Sequence, residues 1–181
     1  HYHLTAAKKL VEMGVDMIWT GDDVGAQDNM LISPKMWRQF FKPRMAHFIA
    51  ELKAINPALK VAYHSDGNIL PIIPELIEIG VDVLNPIEPP PMGDITMEEA
   101  FATVGDSMGL EGNIETHDFM VTDTADLTAK IHATLDAGRG KRLILCPSSG
   151  YMENVEPSAQ EIENWLLYID EGVRYAETMA N

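Results

Sequence analysis

The stretch Val61-Ala62-Tyr63-His64-Ser65-Asp66-Gly67-Asn68-Ile69-Leu70-Pro71-Ile72-Ile73-Pro74-Glu75-Leu76-Ile77-Glu78-Ile79-Gly80-Val81-Asp82-Val83-Leu84 holds one full period of the pattern that decides the fold. Val61 to Tyr63 is a short apolar run that reads as a buried strand, and it ends in the polar corner His64-Ser65-Asp66-Gly67. Pro74 to Ile79 reads as a helix, closed by Gly80 in the usual position after a helix end. Val81 to Leu84 is the next strand. Short strands with nearly unbroken apolar runs are buried on both faces, which means a parallel sheet covered by helices.

The same alternation continues outward in both directions. Upstream, Thr5 to Met13 is helical and stopped by Gly14, and Val15 to Thr20 is a strand running into Gly21-Asp22-Asp23. Ser33 caps a helix that has Pro34 in its first turn, and Trp37, Phe41, Met45, Phe48 and Leu52 recur along one face. Pro43 inside that run should kink it or split it. Downstream, a Pro-rich loop spans Asn85 to Met92, a helix spans Thr96 to Phe101 and a strand Met108 to Asn113. Asp123 or Thr122 then caps a helix carrying Leu127, Ile131 and Leu135, and Arg142 to Cys146 is the fifth strand. Glu156-Pro157-Ser158 starts a last helix, with Ile162, Trp165, Ile169 and Val173 expected on its buried face. The pattern is α/β, one domain over residues 1–181. Right-handed crossovers leave two architectures, an open doubly wound sheet or part of a (β/α)8 barrel.

Composition narrows the function. With 13 Lys+Arg against 28 Asp+Glu, the formal charge is −15. No basic surface is left to neutralise phosphates, so a nucleic-acid partner is excluded, and docking on anionic lipid is opposed. No uninterrupted apolar run approaches the roughly 20 residues of a spanning helix, and no membrane partner is expected. No Gly-rich phosphate fingerprint follows any strand, so no nucleotide cofactor is expected. The single cysteine, Cys146, rules out an internal disulfide and any multi-cysteine zinc cluster within the chain, and fits a reducing cytoplasm.

In parallel α/β folds ligands bind beyond the carboxyl ends of the strands. Polar residues gather at all five ends: Asp22 and Asp23; His64 and Asp66; Asn85 and Glu88; Asn113 and Glu115; Cys146, Ser148 and Ser149. His64 and Asp66, two residues apart, can project to one side, where a carboxylate beside an imidazole suits a general acid or a metal ligand. Asp22-Asp23 could hold a hard cation or share a proton, although adjacent strand residues point oppositely and only one should face the mouth. The plainer alternatives are that Asp66-Gly67 simply makes the turn and that loop aspartates cap orphan amides. Asp22, Asp23, His64 and Asp66 are thus the candidate catalytic groups. Asn85, Glu88, Asn113, Glu115 and Ser149 are candidate substrate contacts, and Cys146 is a candidate soft ligand beside His64 and Asp66. Of the remaining histidines, His117 follows a strand end, whereas His47 and His132 fall on helices.

Gly21-Asp22-Asp23-Val24-Gly25, Ile32-Ser33-Pro34-Lys35-Met36-Trp37-Arg38 with Lys42-Pro43-Arg44, His64-Ser65-Asp66-Gly67-Asn68 and Gly112-Asn113-Ile114 together resemble the uroporphyrinogen decarboxylase superfamily, in order and spacing, across nearly the whole chain. The resemblance implies the C-terminal portion, about five βα units, of a TIM (β/α)8 barrel with its site at the strands' carboxyl ends. It implies either the haem-pathway decarboxylase or a methyltransferase working with a corrinoid protein and a thiol. Methyltransferases of this family bind zinc through a His-x-Cys motif and a later Cys. Here the motif reads His64-Ser65-Asp66, and Ser149 falls where the later thiolate is expected, so an oxygen-richer site for zinc or another divalent metal is implied.

The decarboxylase's last-loop His is missing, and Asp22, Asp23, Asp66, Glu88, Glu115 and Glu153 at the mouth would repel a polyanionic tetrapyrrole. Corrinoid-linked methyl transfer on a small-molecule substrate is therefore the leading expectation. Uroporphyrinogen decarboxylation comes second and a non-catalytic binding or assembly domain third. The abrupt start at His1 reads as the middle of a longer chain. Five staves cannot close a barrel, so the exposed edges predict an intimate homo-oligomer when this segment stands alone.

Overall fold

A computed structural model describes residues 2–90, 92–93, 95–148 and 156–179. The chain runs α1 (Tyr2–Glu12), β1 (Met17–Gly21), α2 (Pro34–Phe40), α3 (Lys42–Ile55) and β2 (Lys60–His64). A 3₁₀ turn (Leu70–Ile72) leads into α4 (Ile73–Glu78), followed by β3 (Val83–Ile87), α5 (Met97–Val104) and β4 (Gly109–Ile114). Then come α6 (Thr116–Val121), α7 (Thr124–Ala137), β5 (Leu143–Pro147) and α8 (Ala159–Met179). No helix among the described residues is long and apolar enough to cross a membrane.

The strands pair in parallel in strict chain order, β1-β2-β3-β4-β5. A doubly wound sheet reverses its order at a switch point. This one never does, so it is a run of consecutive staves of a barrel-like sheet, five of the eight a closed barrel needs.

Local chemistry sets the elements. Ser33 Oγ accepts from Met36 N–H at 3.2 Å and Pro34 opens α2. Pro43 splits the long helical run at Phe41, so α2 and α3 are separate helices. Asp123, rather than Thr122, caps α7, accepting from the amides of Ala125 and Asp126 at 2.9 Å. Thr96 and Glu99 form a reciprocal capping box on α5. The strand β3 continues through Asn85, Pro86 and Ile87, residues whose composition reads as the start of a loop. The short helix α6 has no counterpart in the sequence reading.

The core divides in two. The larger part joins α1 through α5 to the first four strands, with Trp37, Ile49, Leu52, Val61, Tyr63, Leu84 and Leu110 almost fully buried. A smaller part, built on Ile114, Phe119, Leu127, Ile131 and Leu135, receives Trp165, Tyr168 and Tyr175 from α8.

That docking corrects the expected face of α8. Trp165 packs inward as expected, but Ile162, Ile169 and Val173 are 49, 57 and 58 % exposed, along with Leu166 at 59 %. The buried positions instead include Glu161, Asn164 and Glu171. Asn164 donates to the carbonyls of Phe119 and Thr122 at 3.0 and 2.8 Å, satisfying the end of α6, and Glu171 meets His132 at 2.5 Å. The helix carries two adjacent apolar stripes, and the aromatic one packs inward, with Trp165 stacked on Phe119, Tyr168 edge-on to it and Tyr175 stacked on His132.

Candidate functional site

Alternation along each strand sends every second side chain to the concave face of the sheet. On β2 that residue is His64, whose ring lies 6.3 Å from the Trp19 ring of β1. On β3 it is Asn85, and on β4 Glu111. These three form a line across the sheet. His64 Nδ1 meets Asn85 Oδ1 at 2.7 Å, and Asn85 Nδ2 donates to Glu111 Oε2 at 2.8 Å. Because the Asn85 amide donates toward Glu111, its oxygen faces His64 and must accept. The proton therefore sits on Nδ1, and Nε2 points into the mouth with its lone pair available.

Beyond the strand ends, the loops after β1 and β2 interlock. Ser65, fully buried, accepts from Val24 N–H at 3.1 Å, and Asn68 N–H donates to Ala26 O at 2.7 Å. The backbones approach so closely at Gly25 that a Cβ there would lie 2.3 Å from Asp66 O, and Gly67 faces it with φ +78°. This contact brings Asp23 across to the second loop, where its Oδ1 accepts from Asp66 N–H at 3.2 Å.

Asp23 Oδ1 and Asp66 Oδ1 lie 3.5 and 3.7 Å from His64 Nε2. One donor atom from each of the three residues falls within 4.8 Å of the others, and among the described residues no other His/Cys/Asp/Glu group converges so closely. Among the described residues Asp66 Oδ1 is buried with no hydrogen-bond partner, and burial raises the Asp66 pKa above its usual value against the pull of His64. An orphaned carboxylate oxygen, a second carboxylate and an imidazole lone pair aimed at one point fit a divalent cation of zinc-like or harder character.

The other predicted residues sort by which way they face. Asp22 turns from this group and lines a cavity of about 410 Å³ with Trp37, Phe41, Arg44 and Tyr63, so only one of the paired aspartates serves the mouth. Cys146 does not join His64 and Asp66 as a ligand. Its Sγ sits 3.7 Å from Asn85 Nδ2, and burial and then Glu111 push its thiol pKa up, away from the thiolate a soft metal needs. Asn113 also departs from expectation: its Oδ1 accepts from Thr134 of α7 at 3.2 Å, on the helix side of the sheet. His117 is exposed on α6. Ser149 and Glu153 lie outside the described residues.

Glu88 and Glu115 do reach the mouth. Glu88 is buried and accepts from Gly67 N–H at 2.6 Å, while Glu115 is buried and takes a 3.2 Å hydrogen bond from Ser148 Oγ on its Oε2. Both carboxyls are pushed upward by burial, Glu115 to about 7, helped by repulsion from Glu88. Glu111 is the functional residue that sequence reasoning missed. A carboxylate in the middle of an apolar strand was the available signal, and its pKa is also raised by burial.

A stability consequence follows for Glu115. Its folded pKa, about 7, exceeds the ordinary 4.5, so between those values the folded chain holds a proton the unfolded chain has lost. Stability should therefore fall as pH rises from about 4.5 through 7 and flatten above. The full shift is screened by water at the cavity, leaving an effect of about 2 kcal/mol. Urea unfolding at the two ends of that window should show it, and Glu115→Gln should reduce the difference, leaving the smaller part contributed by Asp66, Glu88 and Glu111, which burial also raises. A variant with an unchanged pH slope would disprove the assignment.

The matching model is that of uroporphyrinogen decarboxylase (URO-D), over residues 2–162. No curated protein matches the sequence significantly. Among solved structures, a methyltransferase from Methanosarcina mazei aligns with TM-score 0.69 and 22 % identity, covering 93 % of this chain and 45 % of that one. An uncharacterised protein of known crystal structure aligns with TM-score 0.52 and 13 % identity, covering 98 % of this chain and 45 % of that one. The chain thus spans a little under half the length of both. At these identities the likeness concerns the fold, whereas the family match runs through all five strands and the loops that carry Asp23, His64 and Asp66. This chain belongs to the uroporphyrinogen decarboxylase family.

Proposed function

We propose that this chain forms the metal-holding part of a methyltransferase-type enzyme of its family, acting on a small molecule in corrinoid-linked methyl transfer. The observation that carries the reading is the convergence of Asp23, His64 and Asp66, with the His64 tautomer set by Asn85 and an Asp66 oxygen left without a partner. The structural likeness to a methyltransferase supports it.

His64 Nε2, Asp23 and Asp66 would hold the ion. A bound divalent cation acts as a Lewis acid that favours the deprotonated form of a substrate thiol or hydroxyl. The chain's own residues do the rest. Asn85 keeps the Nδ1 proton in place and the ring in plane, and Glu111 holds Asn85. Ser65 and the Gly25–Gly67 contact fix the two loops at a spacing that lets Asp23 reach Asp66. Two carboxylates leave the group richer in oxygen than a thiolate site, so it would hold its ion less softly. The acidic mouth opposes a polyanionic tetrapyrrole, which places decarboxylation second.

Zinc titration of the purified chain, followed by competition with a chelating dye, tests the reading. One ion per chain is expected, accompanied by a shift of the His64 ring resonances. No binding, or binding that leaves His64 unmoved, would sink it.

A further inference from the structure

Beside the Asp23–His64–Asp66 group lies a second feature that a metal would not use. A cavity of about 310 Å³ opens between the loops after β2, β3 and β4, lined by Asp66, Gly67, Glu88, Met92, Glu115 and Ser148 among others. No lysine, arginine or histidine is among its described lining residues. Glu88 and Glu115 are each about nineteen-twentieths removed from solvent, at 6 % exposure, yet neither has a basic partner in a hydrogen bond: Glu88 is held by an amide and Glu115 by a hydroxyl. Among the described residues, Glu115 Oε1 is buried with no hydrogen-bond partner.

A buried carboxylate oxygen without a donor is costly, more so when ionised, so a site built this way is incomplete until something supplies positive charge or N–H groups. A bare metal ion does not suit it. Asp66, Glu88 and Glu115 do not together form a group of three donors within 4.8 Å of one another; among the described residues only Asp23, His64 and Asp66 do. A cavity walled by carboxylates that do not converge in this way suits an organic cation, whose charge is distributed over a larger volume. Met92 supplies a polarisable apolar wall for alkyl groups.

We propose that this cavity receives the ammonium group of an organic cation, with Glu88 and Glu115 as paired counter-charges and Met92 against its alkyl substituents. The inference rests on the barrel mouth being a small-molecule site, as proposed above, and it names the charge of the substrate's head. Binding holds Glu115 in its ionised form, so uptake of the cation expels a proton. Asp118 and Lys130, which also act on Glu115 from α6 and α7, oppose each other and leave Glu88 as its main charged neighbour.

Calorimetric titration of the full chain with tetramethylammonium, against tert-butanol as an uncharged match and at constant sodium chloride, tests the assignment. Tetramethylammonium should bind at least about tenfold more tightly than tert-butanol, a difference of about 1.4 kcal/mol. The heat should change with the ionisation enthalpy of the buffer, reporting proton release near neutral pH. Glu115→Gln keeps the Ser148 hydrogen bond and should weaken binding about tenfold and remove the proton release. Glu88→Gln provides a second variant that keeps its acceptor for Gly67. Equal affinity for the two probes, displacement by sodium alone, or unchanged binding in both variants would overturn the proposal. Loss of zinc binding with ammonium binding intact defeats only the metal reading; the reverse result defeats only this one.

Discussion

Phe119→Ala should destabilise the chain by about 4 kcal/mol and lower its midpoint of thermal unfolding by roughly 10 °C. Phe119 is fully buried at the centre of the smaller core. Its ring stacks on Trp165 at 3.9 Å and 6°, and meets Tyr168 edge-on at 5.3 Å and 83°. Truncation removes the ring's burial, leaves a cavity, and deletes two aromatic pairs worth about 0.5–1.5 kcal/mol each beyond burial. Among the described residues the smaller core's other buried members are Ile114, Leu127, Ile131 and Leu135, so little can collapse into the space.

The loss should also be directional. Phe119 O is one of the two carbonyls that Asn164 satisfies, so α8 would loosen from α6 before the β1–β4 region responds. Thermal unfolding followed by near-ultraviolet circular dichroism, which reports the Trp165 environment, checks both parts. Phe119→Leu, which refills most of the volume, should cost less than about 1.5 kcal/mol. Equal losses in the two variants would mean that the stacked geometry contributes little.

Much of the fold was legible because each strand and helix obeys its own period and carries its own punctuation. Ser33-Pro34, Asp123 and the glycines after helices all act where the residues predicted. The His64–Asp66 spacing does bring the two side chains to one side, with Asp66 Oδ1 3.7 Å from His64 Nε2. Asn113 and Glu115, both expected as substrate contacts, part company for a physical reason. The ladder ends at Ile114, and Glu115 sits at the N-terminal boundary of α6 without a side-chain cap hydrogen bond, so alternation no longer relates the two side chains. One goes to the mouth and the other to Thr134.

The face of α8 failed differently. Ile162, Leu166, Ile169 and Val173 make as good an apolar stripe as the aromatic one beside it, and helical period alone carries no information about which neighbour is nearer. Cys146 was expected beside His64, and in the structure Asn85 stands between them, its Nδ2 3.7 Å from the Cys146 Sγ and its Oδ1 2.7 Å from His64 Nδ1. Glu111 escaped notice because the strand was weighed for its apolar residues, whereas its single carboxylate anchors the polar line across the sheet.

That line supports the second large prediction. His64→Ala should weaken zinc binding at least about a hundredfold, equivalent to about 2.7 kcal/mol, at a smaller cost to folding stability than Asn85→Leu, since it leaves only the Asn85 oxygen without its partner. The His64 side chain is 36 % exposed and contributes one imidazole lone pair to the ion-sized space, so its loss falls on the ligand set. Asn85→Leu should produce the opposite balance. Leucine matches asparagine roughly in volume but neither accepts from His64 Nδ1 nor donates to Glu111. It leaves a buried carboxylate without its hydrogen-bond partner, at a stability cost of about 3 kcal/mol. It also frees the imidazole to rotate or change tautomer, and outer partners of this kind typically account for about 10–100-fold in metal affinity. The double variant decides whether Asn85 acts through the ring. If it does, Asn85→Leu should have almost no further effect on zinc affinity once His64 is alanine, yet keep its full stability cost. Additive losses of affinity in the double variant would show that Asn85 touches the ion's surroundings by a route other than His64, and the tautomer argument would fall with that result.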